Sequence, residues 1–147
     1  MRGFPGIVAV ALLAAACQQQ PVETKVERAW VRLPAAAGRP GAAYFTVRGG
    51  SKGDTLLQVS TPAAVRAELH ETMDHAGMKS MQPVHDLAVP SGGTLAFAPG
   101  GKHVMLFDVG PAVKPGDQVP LALAFASGRK IEVQAKVVGP GDPEPQI

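Results

Sequence analysis

The sequence predicts an all-β domain, a β-sandwich or a Greek-key barrel, and three observations carry that expectation. Chain breakers are dense: 17 Gly and 14 Pro in 147 residues argue against a helical bundle. Between the breakers lie short segments in which apolar and polar residues alternate, the period-two pattern of half-buried strands. The single cysteine, Cys17, precedes all of these segments, so the domain is expected to hold together by packing and without a disulfide. A chain of 147 residues suits one such domain.

Residues 1–17 read as an export signal. Arg2 supplies a short positive start, and Ile7–Ala16 is an unbroken apolar run. Counted from Phe4, that run would reach roughly 20 Å as a helix, against about 30 Å for a bilayer core, so it is too short for a transmembrane anchor. It closes in Leu13-Ala14-Ala15-Ala16-Cys17, which resembles a bacterial lipobox, where the thiol is acylated and becomes the new N-terminus. Ala14-x-Ala16 also suits an ordinary signal peptidase, which would leave a soluble periplasmic protein. Both readings export the domain. The lipid reading is preferred because an odd exposed thiol is a liability in an oxidising compartment, and it anchors the chain at Cys17 to the periplasmic side of a bacterial membrane.

Residues 18–26, opening with Gln18-Gln19-Gln20-Pro21, read as a tether to a domain spanning 27–138. The expected strands are Glu27–Leu33, Ala42–Arg48, Thr55–Ser60, Ala64–His70, Met81–Val89, Thr94–Ala98, Lys102–Val109, Gln118–Ala126 and Lys130–Val138. Turn clusters such as Gly49-Gly50, Pro90-Ser91-Gly92-Gly93 and Pro115-Gly116-Asp117 separate them. The clearest period is in Lys130–Val138, with Ile131, Val133, Ala135 and Val137 inward. Ala64–His70 is assigned by its alternation, Val65, Ala67 and Leu69 against Arg66, Glu68 and His70, which sends His70 to solvent. Glu71–Ser80 is expected as a flexible loop, and residues 139–147, rich in Pro and Gly, as a flexible tail.

Net charge is +2 and no run of Lys or Arg exceeds two residues, so nucleic acid is not expected as a partner. The sequence lacks Gly-x-Ser-x-Gly, a catalytic Cys in the domain and a Gly-rich phosphate loop, so it does not read as an enzyme. His70-Glu71-Thr72-Met73-Asp74-His75 superficially resembles a zinc-protease helix. Its histidines are five apart, however, and i and i+5 do not share a helix face.

The informative feature is the distribution of two residue types. His70, His75, His85 and His103, and every methionine after the first (Met73, Met78, Met81 and Met105), fall between residues 70 and 105. Core filling by Met and surface decoration by His explain such residues singly but not their joint clustering. His103 and Met105 flank Val104 on an expected strand, so both side chains leave one face, with Cα atoms about 7 Å apart. Met81, at the end of the expected loop, would be free to close over them.

The donor types select the metal. Thioether sulfur is soft and neutral, a poor match for zinc, magnesium or calcium and a good one for Cu(I). Two imidazoles and two thioethers add no charge and contain no thiolate to be oxidised outside the cytoplasm. A blue-copper electron carrier would need a Cys beside its histidines, and Cys17 lies at the processing site.

His70, ten intervening residues, Met81, twenty-one more, then His103-Val104-Met105 resemble the motif of the periplasmic Cu(I) chaperones of the PCuAC type. Ala42-Ala43-Tyr44-Phe45-Thr46, Leu69-His70-Glu71, Pro99–Leu106 and Lys114–Leu121 are similar to that family as well, and the likeness runs from about Arg28 to Val138. The resemblance implies a cupredoxin-like fold binding one Cu(I) per monomer through His70, Met81, His103 and Met105. It further implies delivery toward the CuA centre of a terminal oxidase, with a Sco-type protein or the CuA subunit as acceptor. Two features depart from the family pattern: Thr72 stands where members commonly carry Met, and the tail has no Met/His-rich segment. Met73, His75 and Met78 are left as spare ligands, an uptake patch or exposed residues, and His85 as a surface residue. Copper sequestration for tolerance, and a metal-free structural lipoprotein domain, are the competing functions.

Overall fold

The computed structural model describes Gly3 and residues 19–147, so Cys17 and the lipid-attachment site expected there lie outside the described residues. The described chain is all β. Its strands are β1 (Lys25–Arg32), β2 (Gly41–Arg48), β3 (Asp54–Ser60), β4 (Ala64–His75), β5 (Met78–Pro83), β6 (Leu87–Val89), β7 (Thr94–Phe97), β8 (Lys102–Val109), β9 (Gln118–Phe125) and β10 (Lys130–Val138). They form one sheet in the order β5-β4-β8-β2-β1-β10-β9-β3-β6, with β7 added to β2. No helix among the described residues is long and apolar enough to cross a membrane.

The sheet curls because its strands fork and bend. Gly41–Ala43 of β2 pair with β8, whereas Phe45–Arg48 pair with β7. Across β1, the register slips between Glu27 and Trp30, and Arg28 sits at φ 56°, a bulge that bends the strand. One buried cluster then draws Val31, Phe45, Leu56, Val104, Leu121 and Val137 from both halves of the strand order. Phe45 stacks on Phe97 at 4.3 Å between ring centroids, closing β2 against β7.

Alternation divides each strand between core and outer face. On β8, Val104 and Leu106 are fully buried while His103, Met105 and Phe107 share the other face. The expected strands at Lys102–Val109 and Lys130–Val138 match β8 and β10 residue for residue.

Two expectations are corrected. Glu71–Ser80 is no flexible loop: β4 runs on to His75 and pairs with β5 in register from His70↔Pro83 to His75↔Met78. The turn is Ala76-Gly77, with φ 54° and 83°, the double positive φ of a two-residue hairpin, and the Gly77 amide donates to Asp74 Oδ1 at 2.9 Å. The expected strand Met81–Val89 is broken, because Pro83 offers no amide to a ladder and Asp86 takes φ 53°, separating β5 from β6.

Since Leu106 and Met105 leave opposite faces, Leu106→Ala is expected to cost about 2–5 kcal/mol of stability. Met105→Ala is expected to cost well under that. Urea unfolding midpoints check the difference; equal losses would contradict the assignment of the faces.

Candidate metal centre

Three neighbouring strands, β5, β4 and β8, build the candidate centre, and their register decides which side chains share a face. His70 on β4 lies directly opposite His103 on β8, and Glu68 lies opposite Met105. Thr72, two residues beyond His70, lies opposite Met81 on β5. Cross-strand partners point the same way, as do residues i and i+2 of one strand. His70, Met81, His103 and Met105 therefore project from one face, the outer one, opposite to Leu69, Val104 and Leu106. His70 is central, with His103 across from it and the two methionines on its diagonals, at about 7–8 Å between Cα atoms.

The expectation that His70 faces solvent is corrected. It is 8% exposed and His103 is 5% exposed, and they are the only buried polar or charged residues among those described. The cause is sheet order: β4 is flanked by β8 on one side and β5 on the other, so the outward imidazole is enclosed laterally. The two rings sit 5.9 Å apart between centroids. That spacing is comparable with two metal–nitrogen bonds of about 2 Å each added to the ring radii.

Each imidazole has one nitrogen committed and one without a partner. His103 Nδ1–H donates to the Gly101 carbonyl at 3.0 Å, and its Nε2 is buried with no hydrogen bond. His70 Nε2–H donates to Glu68 Oε2 at 3.0 Å, and its Nδ1 is likewise buried and unpartnered. A carboxylate or carbonyl on the far nitrogen fixes the tautomer and raises the basicity of the near one, the usual arrangement behind a metal-bound histidine. The lone pairs left over are His70 Nδ1 and His103 Nε2.

Glu68 was not singled out from sequence, although its place two residues before His70 on the same strand face was a readable signal. Its Oε1 pairs with Arg66, whose guanidinium lies 4.1 Å above the Phe107 ring, so the carboxylate is held from both sides. The His70 hydrogen bond, aided by the charges of Arg66 and His85, outweighs desolvation and keeps Glu68 below the ordinary carboxylate pKa. The carboxylate form, and its grip on His70, therefore persists at neutral pH and is lost only as pH falls through that depressed value.

The methionines complete the face with graded access: Met105 is half-buried beside the rings, and Met81 is 60% exposed at the hairpin side. Among the described residues, no group of three or more His, Cys, Asp and Glu side chains gathers as a metal site. The donors that accompany the two imidazoles on this face are thioethers, which suit a soft ion.

Fold and donor face together define a cupredoxin-like domain of the PCuAC type. Its structure superposes on the copper-bound PCuAC domain of PmoF2 with a TM-score of 0.66 at 22% identity, covering 83% of this chain and 97% of that one, a likeness of fold. The Cu(I) form of DR1885 from Deinococcus radiodurans is closer in sequence, 31% identical with a TM-score of 0.62, covering 84% of this chain and 83% of that one. Residues 24–137 match the family described as "Putative lipoprotein LpqE-like", and the chain belongs to that family. A relative from Leifsonia xyli subsp. xyli, "Putative lipoprotein Lxx21020", is 31% identical over 115 residues, 77% of this chain and 68% of the relative. An uncharacterised protein of Rickettsia prowazekii, RP573, is 29% identical over 98 residues, 65% of this chain and 54% of its own length.

The tautomers are open to measurement. Long-range 1H–15N correlation of the metal-free protein at neutral pH should report the Nε2–H form at His70 and the Nδ1–H form at His103. Glu68→Ala should release His70 to a mixture while leaving His103 unchanged. A His70 already mixed in the wild type would remove Glu68 from this role.

Proposed function

We propose that this chain is an extracytoplasmic Cu(I) metallochaperone, not an enzyme, that carries one ion through His70, Met81, His103 and Met105. The observation that carries the reading is the pair of buried imidazoles, each with an unpartnered nitrogen, on the same face as two thioethers. Support comes from the likeness to the Cu(I) form of DR1885 at 31% identity. His70 Nδ1 and His103 Nε2 supply the nitrogen bonds. Met81 and Met105 supply neutral sulfur that holds a monovalent ion without adding charge. Delivery is favoured over sequestration because Met81 is 60% exposed, which leaves one ligand free to be exchanged for a donor on an acceptor protein. A CuA subunit or a Sco-type protein of oxidase assembly is the proposed acceptor. The proposed organisation is a signal at 1–17, a tether at 18–26, the copper domain at 27–138 and a tail at 139–147.

One experiment in two stages tests this reading. Competition against a Cu(I)-specific chromophore should give one tight site per monomer, weakened at least 100-fold in a His103→Ala/Met105→Ala variant. Because imidazoles bind copper only when unprotonated, affinity should fall below about pH 6. The Cu(I)-loaded protein should then pass its ion to a metal-free CuA domain. Equal affinity of variant and wild type, or affinity flat from pH 5 to 8, would refute the ligand set; retention of the ion beside the acceptor would favour sequestration.

Lipid anchoring at Cys17 is proposed from Ala14-Ala15-Ala16-Cys17 and is supported by the lipoprotein names of the family and of the Leifsonia relative. It would hold the domain to the periplasmic side of the membrane. Intact mass of the protein isolated from membranes should show a diacylated or triacylated N-terminal cysteine. An unmodified Cys17, or cleavage after Ala16 without lipid, would mean a soluble protein.

A further inference from the structure

The β4–β5 hairpin extends past the last β4–β8 pair, Glu71↔Lys102, and all six residues of β5 are exposed. Its two faces therefore both meet solvent, and they carry different methionines. Met81 projects from the face of His70 and His103. Met73, His75 and Met78 project from the other: Met73 and His75 are i and i+2 on β4, and His75 lies directly opposite Met78.

None of these three serves the core. Met78 is 76% exposed, and neither Met73 nor Met78 is among the apolar side chains packed against the buried cluster. In a directly opposed pair such as His75 and Met78, Cβ atoms stand about 4.5–5.5 Å apart, and Met73 lies diagonal to Met78 at about 7–8 Å between Cα atoms. Methionine has three freely rotating bonds, so both thioethers can close on an ion held by the imidazole. The charged groups nearby are engaged or face away. Glu71, on the same face, pairs with Lys102 at 3.1 Å; Asp74 and Lys79 lie on the opposite face, where Asp74 Oδ1 accepts from the Gly77 amide.

We infer that Met73, His75 and Met78 form a second metal site on the far face of the hairpin, selective for a soft monovalent cation such as Cu(I). Two sulfurs and one imidazole give it a neutral donor set, which discriminates against zinc and hard divalent ions. With three donors in place of four, and an exposed hairpin tip as its frame, it binds more weakly and exchanges faster than the His70–His103 centre. The inference is independent of the ligand set proposed for that centre.

Titration of the full-length protein with silver(I), a redox-inert stand-in for Cu(I), tests it when the methionine methyl groups are 13C-labelled. Silver in excess of one equivalent should shift the Met73 and Met78 methyl signals together with the His75 ring signals, at an affinity at least tenfold below that of the first step. A Met73→Leu/Met78→Leu variant, altering only exposed or half-buried positions, should lose this second step and keep the first. Met73 and Met78 signals unmoved at three equivalents would overturn the inference, as would a second step that survives in the variant. The first centre is read on separate signals, Met81 and Met105, so its failure would be recognised independently.

Discussion

Two imidazole nitrogens, His70 Nδ1 and His103 Nε2, are buried without a partner, and the organisation of the outer sheet face follows from them. A buried polar atom left without a hydrogen bond costs about 1–3 kcal/mol, so a small domain keeps two of them side by side only where something else satisfies them. Their far nitrogens are already bound, one to a carbonyl and one to a carboxylate. Rotation of either ring to rescue the orphan would break the existing bond. The pair is thus arranged for a partner that takes up two lone pairs at once, as a bridging water does with its two hydrogens and as the proposed metal ion would.

The backbone enforces this arrangement through register. A slip of one residue between β4 and β8 would turn His70 inward and Leu69 outward, exchanging an imidazole of the candidate centre for a core residue. The slip is opposed along the ladder, because Val104 and Leu106 are fully buried on the core side and Glu71–Lys102 closes its end beside Gly101. The same alternation that packs the core therefore aims the proposed donors, and no separate scaffold is needed for the candidate centre.

Much of this was legible in sequence, for physical reasons that differ by element. Lys102–Val109 and Lys130–Val138 alternate cleanly and carry no competing period, so their bounds and faces follow directly. The β4–β5 hairpin was not legible. Its turn is Ala76-Gly77, and alanine at positive φ is not the Asn or Asp that marks such turns. His70 was placed on the correct face, but its burial could not be read, because alternation describes one strand while burial depends on which strands flank it. Glu68 was missed because a glutamate on an outward face looks like any solubilising charge until His70 is seen beside it.

Exposure on the donor face rises from the imidazoles outward to the thioethers, and that difference has a chemical consequence. The imidazoles are almost wholly buried, Met105 is half-buried and Met81 is open to solvent. An acceptor of the proposed kind would meet Met81 first, on β5, which has no further neighbour among the described strands. Replacement of that thioether by a donor from the acceptor would leave the ion held by three ligands of the domain and one of the partner. In the proposed transfer the buried histidines would be the last to let go, so the cuprous ion would not be exposed to water between the two proteins. A site with the opposite gradient, histidines outside and sulfurs within, would present a proton-sensitive edge to the acceptor and tie release to local pH.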